Sequence, residues 1–301
     1  MTAEAPVLTK NSTAFEVWQN IFAVHPEVTK FTAIEYSIRP HGQSAIPEIR
    51  VLPREEIDWG NRNTNQFWGR VGDTTMSTAI GAKVEVRPKD YEPRLDYSQA
   101  GRYFNDGELL EIKHDREKSF VLLDFESRPG PELISLATTV LSRTKENWYL
   151  LDSGNSYHLI IDKLVSPLQL IEFYGQFIIA VSEQLPPIKG NFYKLIGQYL
   201  LDNSCDCIKL NLWIKEVLGN FGHLGEPVSS GKLVFPIDMR WVAHVIKAII
   251  FDDINDSYLR VSRKHESVPV LIAMQENEQK TIFGSECEVF NHQPTLTDFK
   301  F

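Results

Sequence analysis

The sequence predicts an α+β fold on the strength of two patterns. From residue 109 to residue 161, runs typical of strands and one helical pattern follow each other in the order strand, strand, helix, strand, strand. That order is typical of a compact sheet with helices on one face. From about residue 163 to residue 225 the pattern changes to a block of helices. We therefore expect a sheet-based core with a helical insertion.

The first third of the chain is predicted to form a separate α/β module or an elaborate flank of the core domain. Residues 13–24 carry apolar side chains at helical spacing, with Asn11 or Ser12 as the expected cap. Strands are predicted at residues 31–38, 46–52 and 82–86, and a loop-rich surface element at residues 55–78. An irregular stretch then leads to a boundary near Gly107. We therefore assign residues 1–107 to this module and residues 108–301 to the core domain.

The elements of the core domain follow from the same two periodicities. Strands are predicted at residues 109–113, 120–125, 148–151 and 157–161, and a helix at residues 131–145. The turn-rich residues 152–155 join the last two of these strands. Helices are predicted at residues 168–185, 192–201 and 208–218. A short strand at 233–237, a helix at 241–250 and a hairpin of strands 258–262 and 268–273 complete the domain.

Composition limits the class of protein. The net charge is −9, which disfavours a protein whose whole surface grips nucleic acid but allows a local basic groove. Three cysteines, Cys205, Cys207 and Cys287, include no Cys-x-x-Cys pair, so neither a disulfide framework nor a structural zinc site is expected. Because the sequence shows neither a membrane-length apolar run nor a signal-peptide pattern, we expect a cytoplasmic protein that does not enter a membrane.

Two carboxylates stand at the end of the most apolar predicted strand. Asp124 and Glu126 are two residues apart, so they project from the same face of that strand. Such a pair also suits the solvated face of an edge strand. However, four apolar residues precede Asp124 without alternation, which indicates a strand buried on both faces. Paired carboxylates there need a cation to offset their repulsion, which favours a divalent metal site for phosphate chemistry.

Ser156 and His158 lie on one face of the next predicted hairpin, after a glycine-containing turn. Their hydroxyl and imidazole groups can therefore point at one anionic group, and a triphosphate fits this pair. The alternative is a histidine that packs in the core.

Further polar residues follow near the end of the chain. Asp238 ends an apolar run immediately before a helix, where it either caps that helix or supplies a third metal-binding carboxylate. Arg260, Ser262 and Lys264 share one side of a predicted strand, which is either a solvated face or a phosphate clamp.

The order and approximate spacing of these motifs resemble the archaeo-eukaryotic primase superfamily. That superfamily includes primase small subunits, primase-polymerases and the polymerase domain of bacterial end-joining ligases. The resemblance covers about residues 109–273, and the loosest match is the strand that carries Arg260. Because the cysteine–histidine cluster of many primases is absent from the sequence, the chain is most similar to compact bacterial members without a zinc module.

The resemblance implies an RRM-like antiparallel-sheet catalytic core and a primase or polymerase activity in DNA replication or repair. It implies that two Mg²⁺ or Mn²⁺ ions are held by Asp124, Glu126 and Asp238. It also implies that the triphosphate of an incoming nucleotide is bound by Ser156, His158, Arg260, Ser262 and Lys264. The implied partners are nucleoside triphosphates, a single-stranded or primed nucleic-acid template, and a protein partner for initiation.

Two other classes of function remain open from the sequence. One is a catalytically silent primase-like protein that binds nucleotides or acts as a scaffold, which the acidic composition favours. The other is a metal-dependent nuclease, because an Asp-x-Glu pair with a histidine also serves phosphodiester cleavage.

Overall fold

The computed structural model describes residues 6–25, 30–38, 47–53, 75–85, 117–126, 130–154, 156–222, 231–251, 259–260 and 269–282. Within these ranges the chain has the α+β class that the sequence predicts. The strands are β1 (Lys30–Ile38), β2 (Pro47–Pro53), β3 (Thr75–Glu85), β4 (Glu117–Asp124), β5 (Trp148–Asp152), β6 (Tyr157–Val165), β7 (Leu259–Arg260), β8 (Val270–Glu276) and β9 (Gln279–Ile282). The helices are α1 (Ala14–Val24), α2 (Pro131–Leu141), α3 (Pro167–Ser182), α4 (Pro187–Asp202), α5 (Cys207–Asn220) and α6 (Met239–Phe251).

The strands form one antiparallel sheet in the order β2-β1-β3-β4-β6-β5-β8-β9, and β7 pairs with β3. β4, α2 and β5 form a β-α-β unit that is split by β6, which lies between the two strands. This arrangement puts β4 beside β6 in the middle of the sheet.

The sheet is covered on both faces, because β4 carries apolar side chains on both. All of residues 120–123 are buried, which confirms the strand predicted to be buried on both sides. Val121 and Leu123 pack in a core with α2 to α6, whereas Phe120 packs with Trp18 of α1 on the opposite face. The expectation of helices on one face was wrong, since α1 covers the second.

Helix α1 begins one residue later than predicted, and its cap lies one or two residues later. Thr13, rather than Asn11 or Ser12, is the cap, and its side chain and that of Glu16 form a capping box. Ser12 is instead held by pairing with β8, where its carbonyl oxygen accepts from the N–H of Leu271 at 2.7 Å. This pairing with β8 keeps Asn11 and Ser12 outside the helix, so Thr13 is the cap and α1 begins at Ala14.

The helical insertion contains α3, α4 and α5, with boundaries set by local chemistry. Ser166 and Gln169 form a capping box at α3, Pro187 is the first residue of α4, and Asp206 accepts from the N–H of Lys209 at the start of α5. Glycines bring α3 and α4 together: a Cβ atom at Gly197 would lie 2.7 Å from the carbonyl oxygen of Gly175. The two helices therefore pack backbone to backbone at this point.

Several strand predictions were wrong in detail. The predicted hairpin of residues 258–262 and 268–273 does not form, because β7 pairs with β3 and β8 pairs with β5 and β9. The hairpin that does form joins β8 to β9 through Asn277 and Glu278, whose positive φ angles of 50° and 64° suit a two-residue turn. Residues 233–237 make isolated bridges instead of a strand, and β3 begins at Thr75, inside the expected loop.

Other predictions lie outside the described residues. These are the strand at residues 109–113, the boundary near Gly107, and most of the predicted loop at residues 55–78. Among the helices that the structure does describe, none is long and apolar enough to span a membrane.

Candidate carboxylate site at the ends of β4 and β6

The site is centred on Asp124, the last residue of β4. Asp124 stands opposite His158 in the antiparallel register of β4 and β6. The Ser156 hydroxyl donates a hydrogen bond to Oδ1 of Asp124 at 3.2 Å, and Nε2 of His158 lies 3.7 Å from the same oxygen. The first two predicted motifs are therefore in direct contact.

The β5–β6 turn holds Ser156 in position. Gly154 adopts a φ of +89°, which favours glycine, and its N–H donates to Oδ1 of Asp152 at 2.7 Å. The buried Ser153 hydroxyl donates to the carbonyl oxygen of Ser156 at 2.9 Å and accepts from its N–H at 3.2 Å. Sequence reasoning missed Ser153 as a positioning residue, although a serine before the turn glycine was the available signal.

The other edge of β4 receives the segment that carries Asp238. β3 pairs with β4 only at the start of β4, over Glu117 to Ser119. Beyond that point the N–H of Asp238 donates to the carbonyl oxygen of Asp124 at 2.9 Å, and the N–H of Glu126 donates to that of Pro236 at 2.8 Å. Main-chain hydrogen bonds therefore put Asp238 beside Asp124 and hold Glu126 at the same end.

Asp238 caps a helix, which is one of the two roles weighed from the sequence, and it also lies beside Asp124. Its Oδ1 accepts from the N–H of Trp241 at 2.9 Å, so it caps α6. The side chain is buried, and its negative charge acts on Asp124. Capping therefore leaves Asp238 inside the acidic group.

The electrostatics of the site are unfavourable for an ionised Asp124. The pKa of Asp124 is raised from 3.8 to about 8, chiefly by burial and then by the negative charges of Asp238 and Glu126. The hydrogen bonds from Ser156 and from the N–H of Phe125 act in the opposite direction. A cation at this position would reverse the balance, because it favours the charged form of each carboxylate.

Carboxylate oxygens are the ligands that Mg²⁺ and Mn²⁺ prefer, so the chemistry of Asp124, Glu126 and Asp238 fits a divalent ion. Their side chains do not converge as they stand: in the part of the chain that the structure describes, no three His, Cys, Asp or Glu side chains form a metal-binding group. One oxygen of Asp238 is turned to the α6 N-terminus instead. Joint ligation by all three therefore requires side-chain rotation.

A tyrosine anchors the chain just beyond Glu126. The Tyr157 hydroxyl accepts from the N–H of Gly130 at 2.9 Å and lies 3.3 Å from the Gly130 carbonyl oxygen. Gly130 is the residue before α2, so Tyr157 ties the beginning of that helix to β6. Sequence reasoning missed this contact as well.

The predicted basic strand is described only in part. The main chain of Arg260 lies in β7, opposite Ala79 of β3. Ser262 and Lys264 lie outside the described residues. The phosphate-clamp interpretation of these three residues therefore stays a prediction.

Comparison with known proteins adds no relative. No protein-family model, no curated protein and no solved structure matches this chain.

Proposed function

We propose that the chain is a metal-dependent nucleotidyltransferase of the primase-polymerase type, which adds nucleotides to a nucleic-acid strand. The observation that carries the proposal is the position of Asp124. It contacts Ser156 and His158 across one edge of β4 and Asp238 across the other. Residues from three distant parts of the sequence therefore lie together at this end of β4, which supports the proposal.

The proposal includes an RRM-like core. The β4-α2-β5 unit with β6 inserted between its strands supports it, because a split β-α-β unit is half of that kind of fold. α1 covers part of one sheet face, so this face does not offer the broad open platform on which RRM domains stack bases. We therefore propose that template approaches at the strand ends near Asp124.

The carboxylates of Asp124, Glu126 and Asp238 would hold the divalent ions. Bound Mg²⁺ or Mn²⁺ supplies charge neutralisation for the triphosphate and lowers the pKa of an attacking 3′-hydroxyl. The raised pKa of Asp124 means that this carboxyl group is largely protonated near neutral pH without a cation, and that it loses its proton when a cation binds.

Ser156 and His158 would contact the phosphates of the nucleotide. The Ser156 hydroxyl already bonds to Asp124, so it links the carboxylate end of the site to the phosphate end. His158 is buried among strand residues, which restricts its imidazole to few orientations. Arg260, Ser262 and Lys264 are proposed to bind the same triphosphate through charge-assisted hydrogen bonds.

The test is incorporation of labelled NTPs and dNTPs on primed and unprimed single-stranded templates, with Mg²⁺ or Mn²⁺. We expect incorporation by the wild type, its loss in Asp124→Ala, and no effect of Glu216→Gln, which changes an exposed carboxylate of α5. Circular dichroism and thermal unfolding check that both variants fold.

Two results would replace the proposal. Metal-dependent nucleotide binding without incorporation would indicate a silent primase-like protein. Cleavage of single-stranded nucleic acid in the absence of nucleotides, abolished by Asp124→Ala, would indicate a nuclease.

A further inference from the structure

Helix α4 exposes a continuous row of large apolar side chains. Ile188 is 90% exposed, Leu195 70%, Phe192 46% and Tyr199 37%. Their spacing of four, three and four residues puts them in one row along the helix, the spacing of a coiled-coil seam. We call these four residues the α4 stripe. Such a row on a solvent-facing helix indicates an interaction surface.

The α4 stripe cannot turn into the core, because the opposite side of α4 is locked against α3. Gly190, Tyr193, Gly197 and Leu200 are the buried side of the helix. A Cβ atom at Gly190 would lie 2.4 Å from the carbonyl oxygen of Ser182. These contacts between backbones fix the rotation of α4 about its axis. The α4 stripe therefore faces solvent.

Helix α5 extends the same surface. Ile208 and Leu212 are exposed one turn apart on α5, and the Tyr199 hydroxyl lies 3.5 Å from the carbonyl oxygen of Lys209. Six large apolar side chains are therefore exposed on two neighbouring helices, and exposed apolar side chains clustered in this way indicate an interaction surface.

We infer that the occupant is a second copy of this chain, packed through the α4 stripe about a two-fold axis. In an antiparallel pairing, residue 188 of one copy meets residue 199 of the other, and residue 192 meets residue 195. The ends of the helix are complementary in charge, because Lys189 lies at its start and Asp202 at its end. The two-fold axis brings Lys189 of each copy to the end that carries Asp202 of the other, which favours self-association over a partner of one charge sign.

The first experiment measures molecular mass in solution by sedimentation equilibrium over a range of protein concentrations. We expect a wild-type dimer that Leu195→Glu weakens by about tenfold or more, because Leu195 lies near the centre of the interface. The matched control is Val7→Glu, which replaces another exposed apolar side chain outside the helical block and should leave the mass unchanged. A monomeric wild type, or a dimer that survives Leu195→Glu, would overturn the inference.

A charge exchange tests the antiparallel arrangement separately from folding. Lys189→Glu and Asp202→Lys each place like charges together at the dimer ends and should weaken the dimer. The double variant restores opposite charges and should recover most of the wild-type association. Additive weakening in the double variant would contradict the antiparallel pairing. Neither measurement depends on the proposed catalytic activity. A negative result for the dimer would therefore leave the proposal for the carboxylate site unchanged.

Discussion

The N–H of Asp238 donates to the carbonyl oxygen of Asp124 at 2.9 Å, so these two carboxylate residues are joined by the backbone and not only by proximity. The position of each main chain is therefore set by backbone pairing at the edge of β4. An arrangement of this kind tolerates the electrostatic cost of two nearby carboxylates, because main-chain hydrogen bonds hold the segment that carries Asp238.

Asp238→Asn separates the charge of Asp238 from its capping role. Asparagine also caps helices well, so the start of α6 should be retained, whereas Asp238→Ala loses the cap and about 1 kcal/mol of stability. We expect both variants to lose about a hundredfold or more of nucleotide incorporation, since both lack the carboxylate. Urea unfolding and primer extension measure the two effects. Full activity in Asp238→Asn would remove Asp238 from the metal site.

The raised pKa of Asp124 predicts that stability without metal falls as the pH rises. The folded state holds a proton on Asp124 up to about pH 8, whereas the unfolded chain releases it near 3.8. The contribution of Asp124 to the free energy of unfolding is fully present below pH 3.8 and is lost as the pH rises toward 8. Unfolding in EDTA at pH 5.5 and pH 8 should show this decline in the wild type and less of it in Asp124→Asn. An equal loss of stability between pH 5.5 and pH 8 in the two proteins would contradict the raised pKa of Asp124.

Divalent ions should reverse that decline. A cation that binds ionised carboxylates stabilises the folded state more at pH 8 than at pH 5.5, because fewer protons must leave. The measurement is the shift in melting temperature on addition of Mn²⁺ at each pH. Asp124→Asn is the control, and a Mn²⁺ effect of the same size in this variant would mean that the ion binds elsewhere.

His158→Ala should weaken nucleotide binding more than it slows the chemical step. His158 lies on β6, opposite Asp124, and is proposed to contact phosphate. Losing one hydrogen bond to a charged group predicts a rise in the KM for nucleotide of about tenfold or more, with a smaller change in kcat. Steady-state kinetics with varied nucleotide separates the two. A pure loss of kcat would instead assign His158 to the reacting atoms.

The site was more predictable than the sheet that holds it. Alternation within a strand is a local property, so it predicted that Asp124 and Glu126 share one face and that Ser156 and His158 share one face. The meeting of Asp124 with Ser156 and His158 across β4 and β6 was implied only by the order and spacing of the motifs. The pairing of β7 with β3 and the second face covered by α1 were missed, since both depend on contacts between residues far apart in sequence. Ser153 was missed for a different reason: a serine before the turn glycine was visible in the sequence, but its bond to the main chain of Ser156 could not be assigned without the turn geometry.

The packing of α3 on α4 gives a prediction about two glycines. An alanine at position 197 puts its Cβ 2.7 Å from the carbonyl oxygen of Gly175 and 2.9 Å from a side-chain carbon of Ile179, so the helices must separate. We expect Gly197→Ala to cost about 1–3 kcal/mol. Gly219→Ala in α5 is the matched control, because a Cβ there meets nothing within 4 Å and alanine favours helix, which predicts a gain of about 0.5 kcal/mol. Urea unfolding of the two variants should move their midpoints in opposite directions. Because Gly197 also fixes the rotation of α4, its variant should weaken self-association through the α4 stripe, while Gly219→Ala should not.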